Sequence, residues 1–220
     1  MLLHIETSTK VCSVALSKNG QLVAEKTLSS QEYSHSENLT VFIQEVMDFA
    51  KLGFDDLNAV SVASGPGSYT GLRIGVSTAK GICFTKNIPL ISVDALLSIA
   101  VQLKEKHPEN RLCPVIDARR MEIFSAIYDE NLNLLKPISA DIIEENSYAG
   151  YGKIIVAGDA TDKLKEIWKD RKDIVFDEEI QASAVGQIPI AQKKLENQEF
   201  EDVAYFEPFY LKDFVGGGGK

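Results

Sequence analysis

Apolar and polar positions along the chain first alternate and then change period. Residues 2–6, LLHIE, read as a short apolar strand. VCSVALS, after the turn TSTK, alternates inward and outward side chains, and QLVAEKTLS returns as a third strand. Asn19 and Gly20 between them tolerate the positive φ that a hairpin needs. From Ser36 to about Leu52 the spacing becomes helical: Leu39, Phe42, Ile43, Val46 and Ala50 form one stripe, with Glu37, Glu45 and Asp48 off it. LNAVSVAS is a buried-looking strand, a helix follows over 69–86, and IPLISV is a further strand. Asp94 is placed to cap a helix from Ala95 to about Lys104. The order is βββαβαβα.

The charged stretch KEKHPENR, with Pro108 in it, marks a domain boundary. Beyond it the opening theme recurs. LCPVID, MEIFSAIYD and LNLLKPISA read as strands with ENLN as a turn, KIIVAGD as another strand and TDKLKEIWKD as a helix. A longer helix is expected from about Ser183 to Glu196, where Pro189 demands a kink or a late start. Two βββ-then-α/β halves predict a duplicated α/β architecture: one lobe over residues 1–105, a second over 106–214 and a flexible tail at 215–220. A Rossmann fold would begin instead with one strand and a crossover helix.

Composition narrows the function classes. The 220 residues are 45% apolar and 25% charged, an ordinary globular balance, and the net charge of −9 repels nucleic acid unless a local patch or a partner intervenes. Cys12, Cys83 and Cys113 form no CxxC pair, and Glu6 stands where a signal peptide needs its apolar core, so a cytoplasmic protein with reduced thiols is expected. No apolar run approaches the ~20 residues of a membrane span. The terminal GGGGK lacks the spacing of a phosphate loop.

The stretch SGPGSYTGLRIG carries two readings. As an anion cradle, free N–H groups at Ser68 to Gly71 sit at a helix N-terminus, making Gly67, Ser68 and Tyr69 candidate anion or nucleotide contacts, although no Lys follows as in a Walker motif. As a tight turn, Gly65 and Gly67 supply unusual dihedrals, Pro66 stiffens the corner and Ser68 caps the helix.

The helix itself is less ordinary. YTGLRIGVSTAKGICF holds only two charges, Arg73 and Lys80, and Gly71, Gly75 and Ala79 recur every fourth residue as a flat ridge for close backbone approach. One face covers the chain's own sheet, and the other calls for a partner. The preceding helix agrees, with Val41, Met47 and Leu52 off its main stripe. The expected partner face is Leu39, Phe42, Ile43, Val46, Met47, Gly71, Leu72, Gly75, Val76 and Ala79. The plainer alternative is that the two helices pack only on each other and on the sheet.

IETSTKVCSVAL, HSENL, SGPGSYTGLRIG and DARRMEIF, in that order, together resemble the TsaB (YeaZ) family, the dimerisation subunits of the bacterial machinery that places N6-threonylcarbamoyl on a tRNA adenosine. The resemblance implies two ribonuclease-H-like lobes of the actin, sugar-kinase and Hsp70 type, each a mixed sheet with flanking helices. It also implies a non-catalytic scaffold that pairs its two long helices with a TsaD-type catalytic subunit. A TsaE-type ATPase joins through the complex, tRNA is met only indirectly, no membrane is involved, and the chain alone forms a homodimer. No cofactor is expected to bind tightly to the isolated chain, with ATP or ADP placed at the complex junction. The metal-binding histidine pair of TsaD falls at Ala95 and Ile99, which cannot ligate a metal. His4, His35 and His107 are expected to be structural. Glu6 and Asp117 read better as caps of local N–H groups than as metal or phosphate positioners, while Arg119 and Arg120 either bind an anion or pair with nearby acids. Gly75→Leu is expected to block heterodimer formation and leave the monomer folded. The rival class is an ATP-binding kinase or ATPase of the same fold, and no peptidase arrangement is visible.

Overall fold

The computed structural model describes residues 1–29 and 35–212. The end of PFYLKDF and the expected tail at 215–220 lie outside the described residues. Strands β1 (Leu2–Glu6), β2 (Val11–Lys18) and β3 (Gln21–Ser29) form an antiparallel meander, and β4 (Ala59–Gly65) and β5 (Leu90–Asp94) add to β1 in parallel, giving the order β3-β2-β1-β4-β5. The second sheet repeats the plan with β6 (Arg111–Asp117), β7 (Glu122–Tyr128), β8 (Leu134–Ile142), β9 (Ile154–Ala157) and β10 (Ile174–Asp177), in the order β10-β9-β6-β7-β8. The expected duplication is therefore present strand for strand.

Two of the helices start where side chains satisfy the orphan N–H groups of a first turn. In α2 (Tyr69–Lys86) Ser68 Oγ accepts from Gly71 N at 3.3 Å, and in α3 (Ala95–Lys106) Asp94 Oδ1 accepts from Leu97 N at 2.8 Å. Asn87, with φ of 51°, ends α2 in the left-handed region, and Asn19 and Gly20 turn the first hairpin the same way. The remaining helices are α1 (His35–Ala50), α4 (Thr161–Ile167) and α5 (Ile188–Glu196). Pro189 lies in the first turn of α5, preceded by a 3₁₀ turn at Val185–Gln187, so the late start is realised rather than the kink.

Two features differ from expectation. The four-residue strand β10 falls between charged residues and was not expected as an element. The boundary at 105/106 divides the sheets but not the packing. Helix α3 places Leu96, Ile99 and Leu103 in one core with Leu112, Ile116 and Phe124 of the second sheet. Helix α5 returns to the first sheet, where Ala191 packs with Leu2, Ala59, Ile91 and Val93. Each lobe is completed by a segment from the other half of the chain, because a parallel sheet needs cover on both faces.

Candidate functional site

The corner between β4 and α2 is closed, not cradle-like. Ser68 N donates to the Ser8 carbonyl at 2.6 Å, and Gly71 N is taken by the Ser68 cap. A Cβ at Gly67 would lie 2.2 Å from Ser8 O, and one at Gly65, whose φ is +109°, 2.6 Å from Phe209 O. The glycines admit two neighbouring stretches of backbone, and two of the donors the anion reading requires are already bonded inside the chain. Tyr69 stacks obliquely on Tyr210 with centroids 4.7 Å apart. Arg119 belongs to the β6–β7 turn of the second lobe, exposed, its backbone N–H bonded to Asp117 Oδ1 at 2.7 Å. The anion assignment of Gly67 and Ser68 is corrected accordingly.

The ten residues expected to face a partner lie on the inner side of α1 and α2. Leu39, Phe42, Ile43, Val46, Met47, Leu72, Val76 and Ala79 are each at most 6% exposed, most of them in the first core with Leu3, Ile5, Val14 and Val62. The flat ridge receives the turn after β1: a Cβ on Gly71 would stand 2.1 Å from Thr7 O, and one on Gly75 2.3 Å from Thr7 Oγ1. Thr7 Oγ1 itself donates to Gly71 O at 2.8 Å. The close approach is real but internal, so these ten residues are not a free surface, and Gly75→Leu would disrupt the chain's own packing.

The second flank of α2 is covered by the chain's C-terminal segment, held by Arg73 and Lys80, two of the helix's three cations. Lys80 Nζ donates to Ala204 O at 3.1 Å and Phe206 O at 3.0 Å. Arg73 Nε donates to Tyr210 Oη at 3.3 Å, and its guanidinium lies 4.1 Å from the centre of the Tyr69 ring. What faces outward is a different set. On α2, Phe84 is 83% exposed, and a Cβ at Gly81 would meet no heavy atom within 4 Å. On α1, Phe49 is 76% and Val41 49% exposed. Ala50, Leu52, Ile74 and Ile82 are half-buried at the edge of the first core. Large aromatics off the helical stripe were the available signal for Phe49 and Phe84.

The polar interior around His4, Gln187 and Glu6 is locally satisfied, while Ser8 Oγ and Gln192 Oε1 are buried without a hydrogen-bond partner. Ser61 Oγ donates to Gln187 Oε1 at 2.8 Å, so it accepts from His4 Nδ1 at 2.7 Å, which leaves His4 Nε2 to accept from Ser17 Oγ at 2.7 Å. Burial pushes His4 down to about 3, in keeping with a neutral imidazole. Gln187 Nε2 continues to Ile5 O at 2.8 Å and Glu6 Oε2 at 3.3 Å, while Glu6 Oε1 caps Ser8 N at 2.8 Å. Burial holds the Glu6 carboxyl above its ordinary range, outweighing the bonds from Ser8 and Gln187. Asp117 likewise accepts from Arg119 N and from Lys163 Nζ at 2.6 Å. Both carboxylates thus serve nearby donors. His35 Nε2 donates to Thr9 O at 2.7 Å, and His107 Nε2 to Asp177 Oδ2 at 2.8 Å, each joining separate elements. Ala95 and Ile99 are fully buried, and among the described residues no three His, Cys, Asp or Glu side chains gather as a metal site. No helix among them is long and apolar enough to cross a membrane.

Two duplicated mixed sheets with helices exchanged between them define a two-lobed fold of the actin and sugar-kinase type. One solved example is the activator of 2-hydroxyisocaproyl-CoA dehydratase from Clostridium difficile with bound ADPNP, 10% identical, TM-score 0.54, covering 91% of this chain and 98% of that one. YeaZ from Pseudomonas aeruginosa is nearer, with TM-score 0.83 and 22% identity over 96% of this chain and 99% of that one. The family model described as TsaD: tRNA N6-adenosine threonylcarbamoyltransferase matches residues 21–214, and the chain belongs to this family. Its likeness to TsaB extends over nearly the whole length: the tRNA threonylcarbamoyladenosine biosynthesis protein TsaB of Escherichia coli is 28% identical, covering 97% of this chain and 95% of that protein. The TsaB (YeaZ) resemblance read from the motifs stands.

Proposed function

We propose that the protein is a non-catalytic scaffold in the formation of N6-threonylcarbamoyladenosine in tRNA, docking a TsaD-type catalytic subunit on the outward faces of α1 and α2. One observation carries the reading. Two long helices whose inner faces are filled by their own chain expose two nearly bare aromatics, Phe49 and Phe84, with half-exposed Val41 on α1 and the open position Gly81 on α2. Exposed aromatics beside small residues are the usual anchors of a helix–helix interface. The names of the full-length relatives support the pathway. Local satisfaction of Glu6, Asp117 and the helix-start donors, together with Ala95 and Ile99 at the metal-ligand positions, supports a structural rather than a catalytic part. In this reading the partner contacts tRNA, a TsaE-type ATPase joins through the complex, and ATP or ADP is held at the junction. The same face mediates homodimerisation when the partner is absent.

Titration calorimetry with the purified catalytic subunit tests it. Phe84→Asp should weaken the complex by about 100-fold, the scale of losing one aromatic anchor and burying a charge, with the circular dichroism spectrum unchanged. An unaltered affinity in both Phe84→Asp and Phe49→Asp overturns the assignment.

A further inference from the structure

The chain returns from α5 to run across both lobes. Glu201 N bonds to Leu90 O at 2.9 Å at the edge of β5, and Val203 and Phe206 pack against the first core. Lys80 holds two carbonyls of the segment, Phe209 N donates to Ser64 O at 2.7 Å over the β4–α2 corner, and Tyr210 stacks on Tyr69. Leu211 then packs against the core of the second sheet, and Lys212 pairs with Glu122 at the start of β7. Residues 201–212 thus connect the two lobes by a route separate from helix α3 and from the crossing at 182–187, where Ala182 lies in the second core and Gln187 bonds to Ser61 and Ile5 of the first lobe.

The two connections differ in construction. At the Gln187 crossing the bonds to the first lobe are buried: Gln187 and Ser61 are fully enclosed, and Ala184 N donates to Ser13 Oγ at 3.0 Å. The C-terminal connection has no helix and only one isolated bridge, Leu90 with Glu201. Tyr205 is 83% exposed and Phe209 48%. A cavity of about 210 Å³ remains between the segment and α2, lined by Arg73, Ser77, Lys80, Phe206, Glu207 and Tyr210. Segments with little buried apolar contact and solvent-reached hydrogen bonds open at low free-energy cost, independently of the whole domain.

We propose that residues 201–212 are a releasable clasp between the lobes. Closed, as here, the clasp holds the β4–α2 corner to the second lobe and shields one flank of α2. Open, it uncovers that flank and leaves the lobes joined only through α3 and the crossing at Gln187, about which they move. The proposal is independent of the partner reading, since it concerns the isolated chain.

Native-state hydrogen exchange on the full chain tests release. The Glu201 and Phe209 amides should exchange about 100-fold faster than amides in the middle of β1 and β4, the signature of local rather than global opening. Equal rates overturn the proposal. Lobe movement is read by electron-resonance distances between nitroxides on Glu25→Cys and Asp170→Cys, both exposed positions on different lobes. The native thiols do not compete, because Cys12, Cys83 and Cys113 are buried. Arg73→Met with Lys80→Met should lengthen and broaden the distance distribution. If that pair fails to fold, Tyr210→Ala carries the same measurement. An unchanged distribution in a variant whose Glu201 and Phe209 amides exchange rapidly shows that the segment only covers the first lobe, which sinks the clasp.

Discussion

The two lobes share one strand plan and differ in what covers it. The first sheet carries α1 and α2, of 16 and 18 residues, whose inner faces fill the first core and whose outer faces expose Phe49 and Phe84. On the second sheet the corresponding place is held by the seven-residue α4 and the loop after β8, pinned by Trp168, which is 1% exposed. Its Nε1 donates to Glu144 O at 3.0 Å, and its ring stacks on Phe176 at 6.4 Å. Duplication has kept the sheets while the helical layer diverged. One layer is long enough to offer a second face, whereas the other is only thick enough to close a core.

Three substitutions break or sharpen this contrast. The largest effect belongs to Gly75→Leu, which drives a side chain into Thr7 and the body of the first sheet. We expect it to remove more than about 4 kcal/mol, enough to leave little folded protein. Gly81→Leu, two turns along the same helix on the open side, should stabilise by about 0.8 kcal/mol through helix propensity alone. Urea unfolding of the two variants side by side checks the pair, and equal destabilisation would show that the inner and outer ridges are not distinct. Next comes Trp168→Ala, expected to lose about 3–5 kcal/mol because the ring is 1% exposed and fills the core beside Tyr148 and Phe176. A loss below about 1 kcal/mol would mean the thinner layer is not held by this ring.

The smallest effect is a pH dependence at the start of α3. Burial raises Asp94 to about 6, against the opposing bonds from the Leu97 and Leu96 N–H groups. The folded state therefore holds its proton where the unfolded chain, near 3.8, has released it. This contribution to stability is complete below about pH 4, declines as pH rises through 6 and is flat above. Asp94→Asn keeps the cap and removes the slope, so the difference between wild-type and variant denaturation midpoints should change between pH 4 and 6. A constant difference across that range refutes the assignment.

Much of the fold was legible in the residues. Ser68 and Asp94 as N-caps, Asn19–Gly20 as a hairpin and the period of α1 each name a local structure with a local cause, and the repeat of βββ predicted the second sheet. The four residues of β10 are too few to show a period, and only the lobe duplication signals a fifth strand there. The exchange of α3 and α5 is invisible locally, since an apolar stripe does not say which sheet it meets. The candidate site was half legible. The unusual character of α2 was plain, but small residues recur on two of its sides, Gly71–Gly75–Ala79 and Ser77–Gly81, and sequence spacing alone does not say which side is free. The deciding contacts are with Thr7 and with residues 204–210, more than sixty and more than a hundred residues away along the chain.

The line of hydrogen bonds from Ser17 through His4 and Ser61 to Gln187 acts as an alignment check on the central strand. Strand β1 is enclosed on both faces, so sliding it by one position would exchange one greasy residue for another at little hydrophobic cost. It would, however, bring Leu3 or Ile5 between the two serine hydroxyls, stranding three polar side chains in a dry interior. A single imidazole thus forbids the mis-threaded placements of β1 between its two neighbours that oil alone would tolerate.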